Sequence, residues 1–113
     1  MLTPLYQAKA ELFRTMGHPV RIRVLELLQE GPLPVRELLA QIGIGPSNLS
    51  QQLAVLRRAG LVVSAREGSS VVYTLSTSDV ADLMRAARRI LTAVIVDNQG
   101  PLLDQLNGEA GSG

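Results

Sequence analysis

Ser47, Asn48, Ser50, Gln51, Gln52, Arg57 and Arg58 fall within residues 46–59, a stretch that holds no acidic side chain. Side chains of these types are able to read nucleic acid. Asn and Gln can pair with both edges of adenine, Ser can bond to a base or a phosphate, and Arg neutralises the backbone. Leu49, Leu53 and Leu56 recur at i, i+4 and i+7 through the same stretch, the spacing of a helix with one buried face. With those leucines inward at ~100° per residue, Ser47, Asn48, Gln51, Ala54 and Arg58 point outward, and Ser50 and Arg57 lie on a flank. An ordinary solvated helix face fits the same pattern, so the neighbouring elements decide between the two.

A helix that reads DNA must be carried by others. Pro34 opens a short helix over 35–42 with Leu38, Leu39 and Ile42 inward. Gly43-Ile44-Gly45 follows, and Pro46 stands at a first helical position, so two short helices joined by a glycine-containing turn form a helix-turn-helix. Before them, Thr3-Pro4 reads as an N-cap and first turn, with Leu5, Leu12, Phe13 and Met16 at helical spacing up to Gly17. His18-Pro19 restarts a helix that Val20, Ile22, Val24, Leu25, Leu27 and Leu28 nearly surround, so it belongs in the core. His18 is most simply a capping or core group there.

After Gly60 the residues become β-formers. Leu61 to Val63, and Val71 to Leu75, flank the polar stretch 66–70 and read as a hairpin. A hairpin directly after a helix-turn-helix is a wing, and Arg66 and Ser69 at its tip are placed to touch phosphates or the minor groove. Ser76 with Asp79 matches a capping box for a long helix ending near Asp97. Its stripe of Val80, Leu83, Ala87, Ile90, Leu91 and Val94 is more than a small winged domain covers. Together with Leu5 and Leu12 of the first helix it is expected to form a homodimer interface. Packing of the two helices on each other within a monomer is the alternative.

Composition narrows the classes further. The 113 residues carry no cysteine, one histidine and a net charge of +1. Disulfides, thiolate zinc clusters and thiol nucleophiles are excluded, and a single histidine builds no multi-histidine metal centre. No nucleophile elbow or phosphate-binding glycine loop is present, so no enzyme is expected. No membrane-length apolar run or leader is read, and a cytoplasmic location is expected. Charge is near neutral overall but uneven: residues 46–75 hold Arg57, Arg58 and Arg66 against Glu67 alone. One domain over 1–107 with a disordered tail over 108–113 is expected, with Leu102, Leu103 and Leu106 in a last turn.

GHPVRIRVLELL at 17–28, VREL at 35–38, SNLSQQLAVLRRAGLV at 47–62 and REGSSVVYTL at 66–75 occur in that order. Through these segments the chain resembles the ArsR/SmtB family of bacterial winged-helix repressors over more than half its length. The resemblance implies a mainly α fold with a small β-hairpin, a winged helix-turn-helix of order α-α-α-α-β-β-α. It also implies a homodimer, formed through the first and last helices, that binds an inverted-repeat operator in double-stranded DNA.

Departures from the family concern the signal. Members that sense thiophilic metals carry cysteines where this chain has Pro34 and Arg36. Others bind metal across the long helices at positions that here are Thr77, Asp79, Ile90 and Ala93, of which only Asp79 is a ligand type. No family metal site and no cofactor is therefore expected, although a metal site of another design, a small-molecule effector or a partner protein stays open. Ser69 stands where relatives often have a basic residue, leaving Arg66 as the basic group of the wing tip. The competing reading is a winged-helix interaction module that needs a partner protein to bind DNA; the acid-free polar face of 46–59 opposes it.

Overall fold

In the computed structural model, residues 2–98 are described. Five helices and three short strands follow one another: α1 (Leu5–Met16), α2 (Pro19–Leu27), β1 (Leu33–Pro34), α3 (Val35–Ile42), α4 (Pro46–Arg58), β2 (Val62–Glu67), β3 (Ser70–Leu75) and α5 (Ser78–Asn98). A 3-10 turn, Leu28–Glu30, extends α2. The chain divides into two compact units between Ala81 and Asp82.

Proline and glycine set most of these boundaries. His18 is the N-cap of α2, its Nδ1 accepting the Val20 N–H at 3.2 Å, and Pro19 occupies the first turn, where the missing N–H costs nothing. Gly43 ends α3 in the left-handed region at φ 74, its N–H donating to the Leu39 carbonyl, and Pro46 opens α4 three residues later. The N-cap of α1 is Pro4, whose carbonyl takes the Gln7 and Ala8 N–H groups, rather than Thr3. Thr77 caps α5, accepting the Asp79 N–H on its hydroxyl at 3.2 Å. Ser76, the expected cap, donates its hydroxyl to the Gly60 carbonyl at 2.7 Å, so it ties the end of the hairpin to the turn after α4.

The core of the first unit is aliphatic. Val24, Leu25 and Leu28 around the end of α2, Leu38 of α3, and Leu49, Leu53 and Leu56 of α4 are almost completely buried, and no polar side chain among the described residues is. α2 packs against both α3 and α4, which explains its nearly continuous apolar surface. Val62 and Tyr73 close the core from the sheet.

Two features of the sheet differ from the sequence expectation. Leu33 and Pro34 form a third strand, antiparallel to β3, with Leu33 opposite Tyr73 and Pro34 opposite Val72, so the sheet order is β1-β3-β2. Two residues carry no period from which a strand can be recognised, and this one is defined only by its partner. The hairpin is also longer than its β-formers suggest. β2 and β3 stay paired from Val62 opposite Leu75 out to Glu67 opposite Ser70, which puts Arg66 and Glu67 in a strand and leaves Gly68-Ser69 as a two-residue turn. Gly68, at φ 63 in its first position, supplies the backbone that such a turn needs.

Candidate nucleic-acid interface

The buried face of α4 is Leu49, Leu53 and Leu56, as the spacing requires, and the opposite face stands in solvent except at Ala54, which is half-buried. Ser47, Asn48, Ser50, Gln51, Arg57 and Arg58 are all exposed. The helix carries no side-chain cap at its N-terminus, where Ser47 and Asn48 occupy the first turn. Among the described residues no carboxylate comes within ion-pair distance of Arg57, Arg58 or Arg66; the three ion pairs present join Arg14 to Glu11, Arg23 to Glu26 and Arg85 to Asp82. The arginines flanking the polar face therefore keep their charge available to an external anion.

Gln52 stands apart from the rest of the predicted set. It is half-buried, and its side chain is engaged within the protein: Oε1 accepts from Arg21 Nε at 2.8 Å and Nε2 donates to Asn48 Oδ1 at 3.1 Å. Arg21 also donates through Nη1 to the Thr15 carbonyl near the end of α1, at 2.9 Å. Gln52 thus supports Asn48 from behind. Arg21 was not among the sequence candidates. Its one sequence signal is that it is a cation on a mostly apolar helix, which needs a partner when partly buried.

Beyond Val62 every residue of β2 is exposed, so the hairpin projects from the core as a wing. Arg66 and Ser69 both lie on it in solvent. Ser70, at the start of β3, accepts a hydrogen bond on Oγ from Arg36 Nη1 of α3 at 2.7 Å, which fastens the wing to the first helix of the helix-turn-helix. Arg36 occupies one of the positions where some family members carry a metal-binding cysteine. At the other family position, Asp79 is hydrogen-bonded to the Thr77 hydroxyl. Among the described residues no three His, Cys, Asp or Glu side chains gather as a metal site, and no helix is long and apolar enough to cross a membrane.

The residues assigned to the dimer interface divide into three groups. Val80 is only 6% exposed within the single chain and is a core residue. It sits one turn into α5, where the helix is still part of the first compact unit. Leu12, Leu83 and Ala87 are half-buried, whereas Leu5, Ile90, Leu91 and Val94 are exposed. The expected last turn at Leu102, Leu103 and Leu106 and the tail over 108–113 lie outside the described residues.

A helix-turn-helix whose second helix shows an acid-free polar face, followed by a projecting hairpin, defines a winged helix-turn-helix protein. Comparison with known proteins agrees. Residues 18–64 match the family of the bacterial regulatory protein ArsR. Rv0081, an HTH-type transcriptional regulator of Mycobacterium tuberculosis, is 49% identical over 102 residues, covering 89% of this chain and 90% of its own. Its crystal structure superposes with a TM-score of 0.78 over 85% of this chain and 97% of that one. The biofilm growth-associated repressor of Xylella fastidiosa is 43% identical over 84 residues, 74% of either chain. The structure of the transcriptional repressor BigR from the same organism gives a TM-score of 0.71 at 41% identity, over 75% of this chain and 87% of that one. A homodimeric winged helix-turn-helix DNA-binding domain from Mycobacterium bovis shares the fold, with a TM-score of 0.74 at 24% identity over 84% of this chain and 88% of that one. The chain belongs to the ArsR family of bacterial regulatory proteins and is a DNA-binding transcriptional regulator.

Proposed function

We propose that the chain acts in the cytoplasm as a homodimeric repressor that binds an inverted repeat in promoter DNA, with α4 of each subunit in the major groove and the wing beside it. The observation that carries this is the face of α4. Ser47, Asn48, Ser50 and Gln51 stand exposed over its first two turns, where a recognition helix meets base edges, and Arg57 and Arg58 follow where phosphates would lie. Arg66 on the wing adds a third positive charge to the same function. Two such helices in a symmetric dimer would enter successive major grooves about one helical turn, roughly 34 Å, apart.

The apolar side chains left exposed on α1 and α5 support the dimer, because Leu5, Tyr6, Phe13, Ile90, Leu91 and Val96 are each more than half exposed in the single chain. That the fold neighbour from Mycobacterium bovis is homodimeric agrees with it. The signal in this proposal is not a metal held at either family position. The Arg36–Ser70 bond and the Asp79–Thr77 bond support that part, since both give the residues present a role within the fold.

A mobility-shift titration of the full chain against duplexes from its own upstream region, at two salt concentrations, tests the proposal. The expected result is a sequence-preferring complex whose affinity falls steeply as salt rises. Absence of any preferred duplex at low salt would leave the interaction-module reading in its place.

A further inference from the structure

We propose that Arg21, a residue of α2, determines which hydrogen-bonding group Asn48 shows to DNA, and thereby makes this contact selective for keto bases, guanine or thymine, over adenine and cytosine. The proposal rests on α4 being the base-reading helix and deepens that assignment to the chemistry of one contact.

An amide side chain has a donor end and an acceptor end, and when it is free in solvent it can turn either one outward. Asn48 is not free. The chain of bonds behind it starts at the Thr15 backbone carbonyl, which only accepts, and passes to the Arg21 guanidinium, which only donates. Arg21 Nε, 2.8 Å from Gln52, therefore requires the oxygen of that amide to face it. The nitrogen of Gln52 is then the end that faces Asn48, and at 3.1 Å it requires the oxygen of Asn48 in turn. Each step has only one polarity. What remains at the exposed end of Asn48 is Nδ2, a donor.

Residue type alone suggests that Asn48 pairs with adenine through both ends, giving its nitrogen to N7 and taking the N6 amino group on its oxygen. With Oδ1 turned toward Gln52, the two ends of the amide no longer face one base together, and the contact becomes a donor contact through Nδ2. In the major groove the edges that accept are the purine N7, guanine O6 and thymine O4, whereas adenine N6 and cytosine N4 donate. Because N7 accepts in both purines, the selectivity acts at the neighbouring edge, where a donor held in one orientation is met by guanine O6 or thymine O4 and opposed by adenine N6 or cytosine N4. Gln51, exposed one turn along, has no such support and retains both ends. Arg21 is accordingly a positioning residue: it touches no base, but it sets the polarity of one that does.

The test is selection of bound duplexes from a randomised library by the full-length protein, its N48A variant and two others. N48A should flatten one position in each half-site, which identifies the Asn48 contact. At that position the wild-type protein should enrich guanine and thymine roughly tenfold over adenine and cytosine, the low end of what a good base contact discriminates. In Q52E the new carboxylate still accepts from Arg21 but can no longer donate to Asn48. The Asn48 amide should turn over, and the preference should move to adenine and cytosine. In R21M the relay has no starting donor, and all four bases should be tolerated at that position while the preference at others persists. Thermal unfolding followed by circular dichroism checks that each variant is folded, and Q52E carries the test if R21M is not.

A keto preference unchanged in Q52E, an amino-base preference in the wild type, or a folded Q52E that binds no duplex would overturn the relay while leaving DNA binding by α4 in place. A wild-type protein with no base preference anywhere would overturn the assignment of α4 itself.

Discussion

Gln51 and Arg57 leave the same helix, but their chemistry separates what they can do for binding. Gln51 carries a neutral amide with a donor and an acceptor, which is of use only against a base edge that matches it. Arg57 carries a charge that any phosphate satisfies. Replacing Gln51 by alanine should therefore weaken the preferred duplex by about 1–3 kcal/mol and leave random DNA almost unaffected. The R57A variant should lose affinity for both and show a shallower dependence on salt, by about one unit of slope. Titrations on preferred and random duplexes at several salt concentrations distinguish them, and equal losses on both duplexes by both variants would contradict the assigned roles. His18 illustrates the opposite case. It is the only histidine, and the structure gives it a local role, its Nδ1 accepting the Val20 N–H that caps α2.

At the scale of elements, the wing depends on its turn and on where it is fastened. The two-residue connection leaves Gly68 at φ 63, a conformation in which a β-branched residue places its Cβ against the backbone. Gly68→Val should cost about 1–2 kcal/mol. The outer part of the wing contributes little to the core, so part of that cost will be met by local fraying of the hairpin. The expected outcome is a drop of a few degrees in the melting temperature together with weaker binding to all DNA, read by circular dichroism and mobility shift. Undiminished affinity in a folded G68V protein would remove the wing from the interface. The Arg36–Ser70 bond has the complementary role beside the turn, since it connects the outer end of the hairpin to α3 rather than to α4.

For the whole molecule, the governing fact is where burial stops. The aliphatic core is complete around α2, α3, α4 and the sheet, and Val80 belongs to it. Farther along α5, Ile90 is 63% exposed, and on α1 Leu5 is 69% exposed. Apolar side chains left in water over two helices favour association, and a charge placed among them would have to be buried without a partner if a second copy docked there. Ile90→Glu is expected to shift the protein from dimer to monomer and to abolish binding to an inverted repeat, while the helix-turn-helix stays folded. Sedimentation velocity with circular dichroism checks this; an unchanged dimer would move the interface away from Ile90.

The sequence by itself determined the helices and the polarity of their faces. Gly43, Pro46 and Pro19 act on the backbone of their own neighbours, and Leu49, Leu53 and Leu56 define an inward side through spacing alone, so the outward Ser47, Asn48, Gln51 and Arg58 could be named from local rules. The bounds of α3 and the start of α4 follow from the same punctuation. Tertiary structure decided what those rules do not reach. β1 exists because Leu33 and Pro34 lie beside β3, the hairpin outlasts its β-forming residues because each strand supplies the other's backbone partners, and Val80 is core because of what surrounds it. The bond from Arg21 to Gln52 spans 31 positions and that from Arg36 to Ser70 spans 34. A hydrogen bond of that kind depends on the placement of two side chains to within fractions of an ångström, which no periodicity encodes and only the packed helices supply. That is why the exposed face of α4 was legible in the sequence, and why the hydrogen bonds that orient Asn48 on it were not.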